Sequence, residues 1–197
     1  LDENGKRAVD GISFTLRKGE ILGIAGVEGN GQTELVEAMT GMGGYTSGTI
    51  EIGGKDIQGS SVAAIRALKV AHIPEDRMTM GIAPKLSLTE NMIADKLSWK
   101  KFFKNGIINR KAVRSYGEEM VDQYQVLCKS QDVSIDSLSG GNIQKVVVAR
   151  EWNNKPKLMN EKDWYDVDVI TCAAPNLRER PSNRFNQGNG DRAVKVS

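Results

Sequence analysis

Histidine is all but missing from this sequence. His72 is the single one in 197 residues, which excludes any site built on several imidazoles. Cysteine is nearly as scarce: Cys128 and Cys172 stand far apart without metal-type spacing, which fits a reducing cytosol and excludes a disulfide framework. An excess of one charge is lacking too. Lys and Arg number 27 against 25 Asp and Glu, a net charge of +2, so bulk electrostatics give no case for a nucleic-acid partner. The basic clusters Lys100-Lys101 and Arg178–Arg180 are short and read as solvated surface. No run approaches the roughly 18 apolar residues of a membrane span. An initiating methionine is also missing, since the chain opens on Leu1. A fragment is therefore expected, and the lack of a leader says little.

What is present centres on Gly26-Val27-Glu28-Gly29-Asn30-Gly31-Gln32-Thr33. The apolar run Ile21–Ala25 before it predicts a buried strand, and Glu34–Met39 after it predicts a helix. A strand, a glycine-rich turn and a helix start are the context a phosphate-binding loop needs. Glycines let successive N–H groups curl around one anion, and the helix start adds the positive end of its dipole. Of the pattern G-x-x-x-x-G-K-[ST], Gly26, Gly31 and Thr33 fit, but Gln32 holds the lysine position.

In chain order, Ile12, Phe14 and Leu16 alternate with polar residues and predict a half-buried strand that turns at Lys18-Gly19. Residues 47–57 predict a hairpin turning at Gly53-Gly54. Val62, Ile65 and Leu68 suit a short amphipathic helix, and Val70–Ile73 a strand stopped by Pro74. Then Ser87-Leu88-Thr89-Glu90 forms a capping box opening a helix with Leu88, Met92 and Leu97. Asn109 can cap a second helix on which Val113, Tyr116, Met120 and Tyr124 share one face. The tyrosine stripe reads as packing rather than a base-stacking platform. Next, Leu138-Ser139-Gly140-Gly141-Asn142-Ile143-Gln144-Lys145 leads into Val146–Trp152, a second helix start able to receive an anion, with Ile143, Val147 and Arg150 against the body.

A phosphate loop followed about 110 residues later by L-S-G-G-N resembles the nucleotide-binding domain of ABC transporters. Gln32 in the loop, the string His72–Arg77 and Ser139–Glu151 are similar to the second, degenerate half of tandem ATPases that import nucleosides and monosaccharides. The resemblance covers residues 1 to about 159. It implies an α/β P-loop NTPase core with an antiparallel β part and a helical insert. It divides the chain into an ATPase core (1–77), a helical subdomain (78–136) and the signature motif with its helix (137–159). It implies ATP and Mg²⁺ as cofactors, and two halves sandwiching two nucleotides, each phosphate loop facing the other half's signature. Partners would be the other ATPase half and membrane permease subunits, at the cytoplasmic face of the cell membrane.

By the same resemblance, Gly26, Gly29, Asn30, Gly31, Gln32 and Thr33 would bind nucleotide, with the Thr33 hydroxyl approaching Mg²⁺. Glu75 stands where the family places its γ-phosphate-sensing glutamine. Leu138, Ser139, Gly140, Gly141, Asn142 and Gln144 form the signature that acts in trans. Gln32 lacks the ammonium that balances phosphate charge, a loss of roughly 1.5–3 kcal/mol, and Glu75 adds a like charge. After Met159 the motif of apolar residues ending in Asp-Glu (Walker B), the D-loop and the switch histidine do not follow. The cassette is thus expected to be truncated before Walker B, with no catalytic residue intact and no hydrolysis when alone. Residues 160–197 read as an unrelated or aberrant, partly disordered tail. Within it Trp164–Arg178 resembles microbial poly(ADP-ribose) glycohydrolase-like macro-domain proteins, and Val167, Val169 and Ile170 can form a strand. Cys172 reads as a buried apolar residue and Ser182–Asp191 as loop. The alternative to an importer component is a fusion with an inert ATPase part and an ADP-ribose-related tail, or a fragment without activity.

Overall fold

The computed structural model describes residues 8–26, 29–104, 106–164, 167–171 and 192–196. In chain order its elements are β1 (Phe14–Arg17), β2 (Ile21–Ala25), α1 (Gln32–Thr40), β3 (Ile50–Ile52), β4 (Lys55–Asp56), α2 (Val62–Ala67) and β5 (Val70–Ile73). Then come α3 (Leu88–Ile93), β6 (Phe103–Lys104), β7 (Ile107–Ile108), α4 (Arg110–Gln123), α5 (Gly140–Trp152), β8 (Leu158–Trp164), β9 (Val167–Thr171) and β10 (Arg192–Val196). Two compact units result, one from Leu1–His72 with Lys155–Ser197, the other from Ile73–Asn154.

The first unit is α/β. One sheet has the order β1-β10-β3-β4 and another β2-β9-β8-β5. Leu35, Ala38 and Met39 of α1 share a core with Leu16, Ile50, Ile52, Ile65, Val70, Leu158 and Val196, drawn from both sheets and α2. The hairpin forms as expected: Ile52 pairs with Lys55 across Gly53 and Gly54, both at positive φ, the conformation a two-residue turn asks of its central residues. The expected burial of β2 needs correction. Successive side chains of a strand point to opposite faces, and only the Leu22 and Ile24 side packs on the core, leaving Ile21 59% exposed.

Three strands fall in the segment read above as an unrelated tail. β9 runs antiparallel to β2, Gly23 opposite Val169, as the Val167, Val169 and Ile170 pattern predicted. β8 lies between β9 and β5. β10 pairs with both β1 and β3, and Val196 is buried in the core. Cys172 and Ser182–Asp191 lie outside the described residues.

His72 on β5 is half-buried, and its Nδ1 is enclosed with no hydrogen-bond partner among the described residues. Burial first, then the Arg66 charge, lowers its pKa to about 4 from the ordinary 6.5. The unfolded chain therefore takes up this proton at higher pH than the fold does. The stabilisation from a neutral His72 is full above about pH 6.5 and is lost as pH falls to about 4. Urea midpoints measured across that window are expected to fall with pH. His72→Leu should remove on the order of 3 kcal/mol of the stability change across that window; an unchanged pH dependence would contradict the assignment.

The second unit is mainly helical. Ser87 and Glu90 close the expected capping box, and Asn109 accepts from the Ala112 amide at 3.1 Å to open α4. Tyr116 is packed, its ring 5.1 Å from Phe102 and its hydroxyl accepting from Asn153 at 2.5 Å. Gly117 lets α4 approach Thr89 of α3, whose hydroxyl a side chain there would strike. Leu97 departs from expectation: α3 ends at Ile93, and Leu97 beyond it is 58% exposed. Its neighbour Lys96 is fully buried instead, paired with Asp95 at 2.7 Å and over the Trp99 ring at 5.6 Å. Burial lowers its pKa while Asp95 opposes that shift, so the ion pair keeps a charge inside the unit satisfied.

Candidate functional site

The phosphate-loop residues gather where β2 hands over to α1. Gly26 ends β2's run, Gly29 and Asn30 are exposed, and Gly31 is the N-cap at φ 97°, ψ 2°. That left-handed conformation suits glycine, and a Cβ at Gly31 would strike the Ala8 carbonyl oxygen. No side chain caps α1, and its first turn, including Gln32 and exposed Thr33, carries amides for which a helix has no carbonyl of its own. The Gln32 carboxamide is folded over Gly26, where its nitrogen would collide with any side chain. Glu34 sits in the same first turn. A neutral amide therefore stands at the lysine position of the G-x-x-x-x-G-K-[ST] pattern, with a carboxylate in the same turn.

Glu75 is exposed just after β5. Beside it Asp76, which sequence reasoning passed over, caps the π-helical turn Arg77–Gly81. Its carboxylate accepts from the Met78 and Thr79 amides at 2.9 and 3.2 Å and from the Thr79 hydroxyl at 2.6 Å. The Thr79 hydroxyl is the main cause that lowers its pKa. The D-x-x-T spacing was the available signal.

The signature residues gather at the start of α5. Leu138 follows the 3₁₀ turn Ile135–Ser137, and Ser139 is the N-cap in extended conformation. Its side chain makes no cap hydrogen bond, unlike Ser61, Ser87 and Asn109, which accept from Ala64, Glu90 and Ala112. The N3 amide, that of Asn142, turns instead to the Ser139 carbonyl at 2.9 Å. Ser139, Gly140 and Gly141 are exposed, and a Cβ on either glycine would meet nothing within 4 Å. Ile143, Val146 and Val147 bury the opposite side of the helix, and Gln144 is half-buried one turn in. The result is an anchored helix whose N-terminus has no side-chain cap, with open space beside both glycines. The loop belongs to the first unit and the Ser139 helix to the second.

These features agree with comparisons to known proteins. A sequence model of the ABC transporter family matches residues 9–160. The nucleoside import ATP-binding protein NupA of Lactococcus lactis subsp. cremoris is 37% identical over 158 residues, 80% of this chain and 31% of that protein. The glucose import ATP-binding protein TsgD13 of Haloferax volcanii is 31% identical over 192 residues, 96% of this chain and 34% of its own. The chain thus spans about a third of the length of these relatives. Among solved structures, MJ1267, an ATP-binding cassette of an ABC transporter, has a TM-score of 0.62 at 21% identity, covering 77% of this chain and 61% of that one. That likeness concerns the fold. None of these matches carries the macro-domain resemblance of Trp164–Arg178. The TsgD13 alignment, long enough to enter that segment, relates it to an import ATPase instead.

Proposed function

The chain belongs to the ABC transporter family of ATP-binding domains, and from that premise we propose that it serves an importer of nucleosides or simple sugars by completing a partner's ATP site. The observation that carries this is the contrast between the two half-sites. The helix start at Ser139–Gly141 is open and uncapped, whereas the chain's own loop holds Gln32 over Gly26.

Backbone amides from Gly29 to Thr33 would hold phosphate weakly, and the Thr33 hydroxyl would meet Mg²⁺ arriving with the nucleotide. Among the described residues no group of three or more His, Cys, Asp or Glu could hold a metal; Mg²⁺ would arrive with the phosphates and keep several of its waters. Bound ATP supplies the phosphoanhydride whose cleavage drives transport. Ser139, Gly140 and Gly141 donate hydrogen bonds to the γ-phosphate held by the partner, placed before charge develops there. Glu75 repels phosphate at the chain's own site. The partners are a second ATPase half and permease subunits, and the setting is the inner face of the cell membrane. Among the described residues no helix is long and apolar enough to cross a membrane.

A partner half with an intact G-x-x-x-x-G-K-[ST] loop tests this. It should bind Mg·ATP alone and hydrolyse it faster once this chain is added. An unchanged rate at saturating chain would contradict the proposal.

A further inference from the structure

The Asn142 side chain is used in two directions at once. Its Oδ1 accepts from the Leu127 amide at 2.9 Å, and its Nδ2 donates to Ser139 Oγ, also at 2.9 Å. A backbone N–H can only donate, so Leu127 fixes which end of the carboxamide is oxygen. The nitrogen must then face Ser139. The Ser139 oxygen receives a proton it does not own, and its own O–H is left to point elsewhere. Among the described residues that O–H meets no acceptor, and no helix amide donates to the Ser139 oxygen. The anchor is itself braced, because Lys145 Nζ donates to the Gln125 carbonyl at 2.7 Å two residues before Leu127.

We propose that Asn142 is a positioning residue: it transmits the polarity of the Leu127 amide to Ser139, so that the hydroxyl presents its proton, not its lone pairs, to an incoming phosphate. The inference rests on the trans-site reading above. It assigns Asn142 no contact with nucleotide and makes its effect pass wholly through Ser139. Each donor in the chain faces the next acceptor, and alignment of such dipoles strengthens the last bond. A hydroxyl free to rotate would spend part of its time with its oxygen toward the anion, which repels it.

The test titrates the isotope-labelled 197-residue chain with inorganic tripolyphosphate, read by NMR at the Gly140 and Gly141 amides, which separates this helix start from the loop at Gly26–Thr33. Ser139→Ala and Asn142→Ala should each weaken binding about three- to tenfold. The double variant should be no weaker than Ser139→Ala alone, because Asn142 has nothing left to position. Asn142→Asp guards against a folding artefact. Its carboxylate can still accept from Leu127, keeping that amide protected from exchange, but cannot donate to Ser139. It should bind at least as weakly as Asn142→Ala. Additive losses in the double variant, or unaltered affinity in Asn142→Asp, would overturn the relay alone. No shift at Gly140 and Gly141 in the unsubstituted chain would overturn the trans-site reading and the relay with it.

Discussion

Ser139→Arg is expected to abolish the acceleration that this chain gives a partner half. The side chain at 139 is exposed and caps nothing, so the arginine gives up only the exposed hydrogen bond from Asn142 Nδ2. It would fill the space that Gly140 and Gly141 leave open and remove a hydroxyl donor from the developing charge. Losing one preorganised donor typically lowers turnover on the order of 10²-fold, and the bulk of arginine would further keep the phosphate from the two amides. Gln32→Ala in the same assay should change the rate by less than about twofold, because that loop serves the other, weaker site. Steady-state phosphate release at saturating ATP separates the two variants. Equal losses would contradict the division of labour between the half-sites.

The second large effect concerns the loop itself. The chain alone should bind Mg·ATP weakly, and Gln32→Lys should tighten it ten- to a hundredfold, corresponding to a charge-assisted contact of roughly 1.5–3 kcal/mol. The position is suited to that change, since the Gln32 side chain already reaches back over Gly26. Turnover should stay at background, because residues 160–197 hold no histidine and no apolar run ending in Asp-Glu. Calorimetric titration reads the affinity and phosphate release the rate. Robust hydrolysis by the lysine variant, lost on Thr33→Ala, would show that the strands after Leu158 carry a working carboxylate.

Local signals were legible wherever the physics is local. The strand, turn and helix around Gly26–Thr33, the Gly53-Gly54 hairpin, and the caps at Ser87 and Asn109 each follow from residues within a few positions of one another. Signals that depend on distant partners were not. Ile21 looks like core from its neighbours, yet its exposure is decided by which face of β2 finds a cover. Lys96 looks like surface, but Asp95 and the Trp99 ring make its burial tolerable. Val194 and Val196 around Lys195 have strand alternation that is too short to trust without β1 and β3 on either side. At the signature, the glycines and serine are readable as a helix start. That Ser139 makes no cap bond is not, nor is the bridge by which Asn142 ties Ser139 to an amide 15 residues earlier.

The most direct measurement of the central claim is where a partner's γ-phosphate lands on this chain. ATP carrying a photoreactive group on its γ-phosphate is bound to the partner half, the two proteins are mixed and irradiated, and the labelled peptide of this chain is identified. The label is expected within Ser139–Asn142, with little on Gly26–Thr33. A label confined to Gly26–Thr33, with Ser139–Asn142 untouched, would contradict the account.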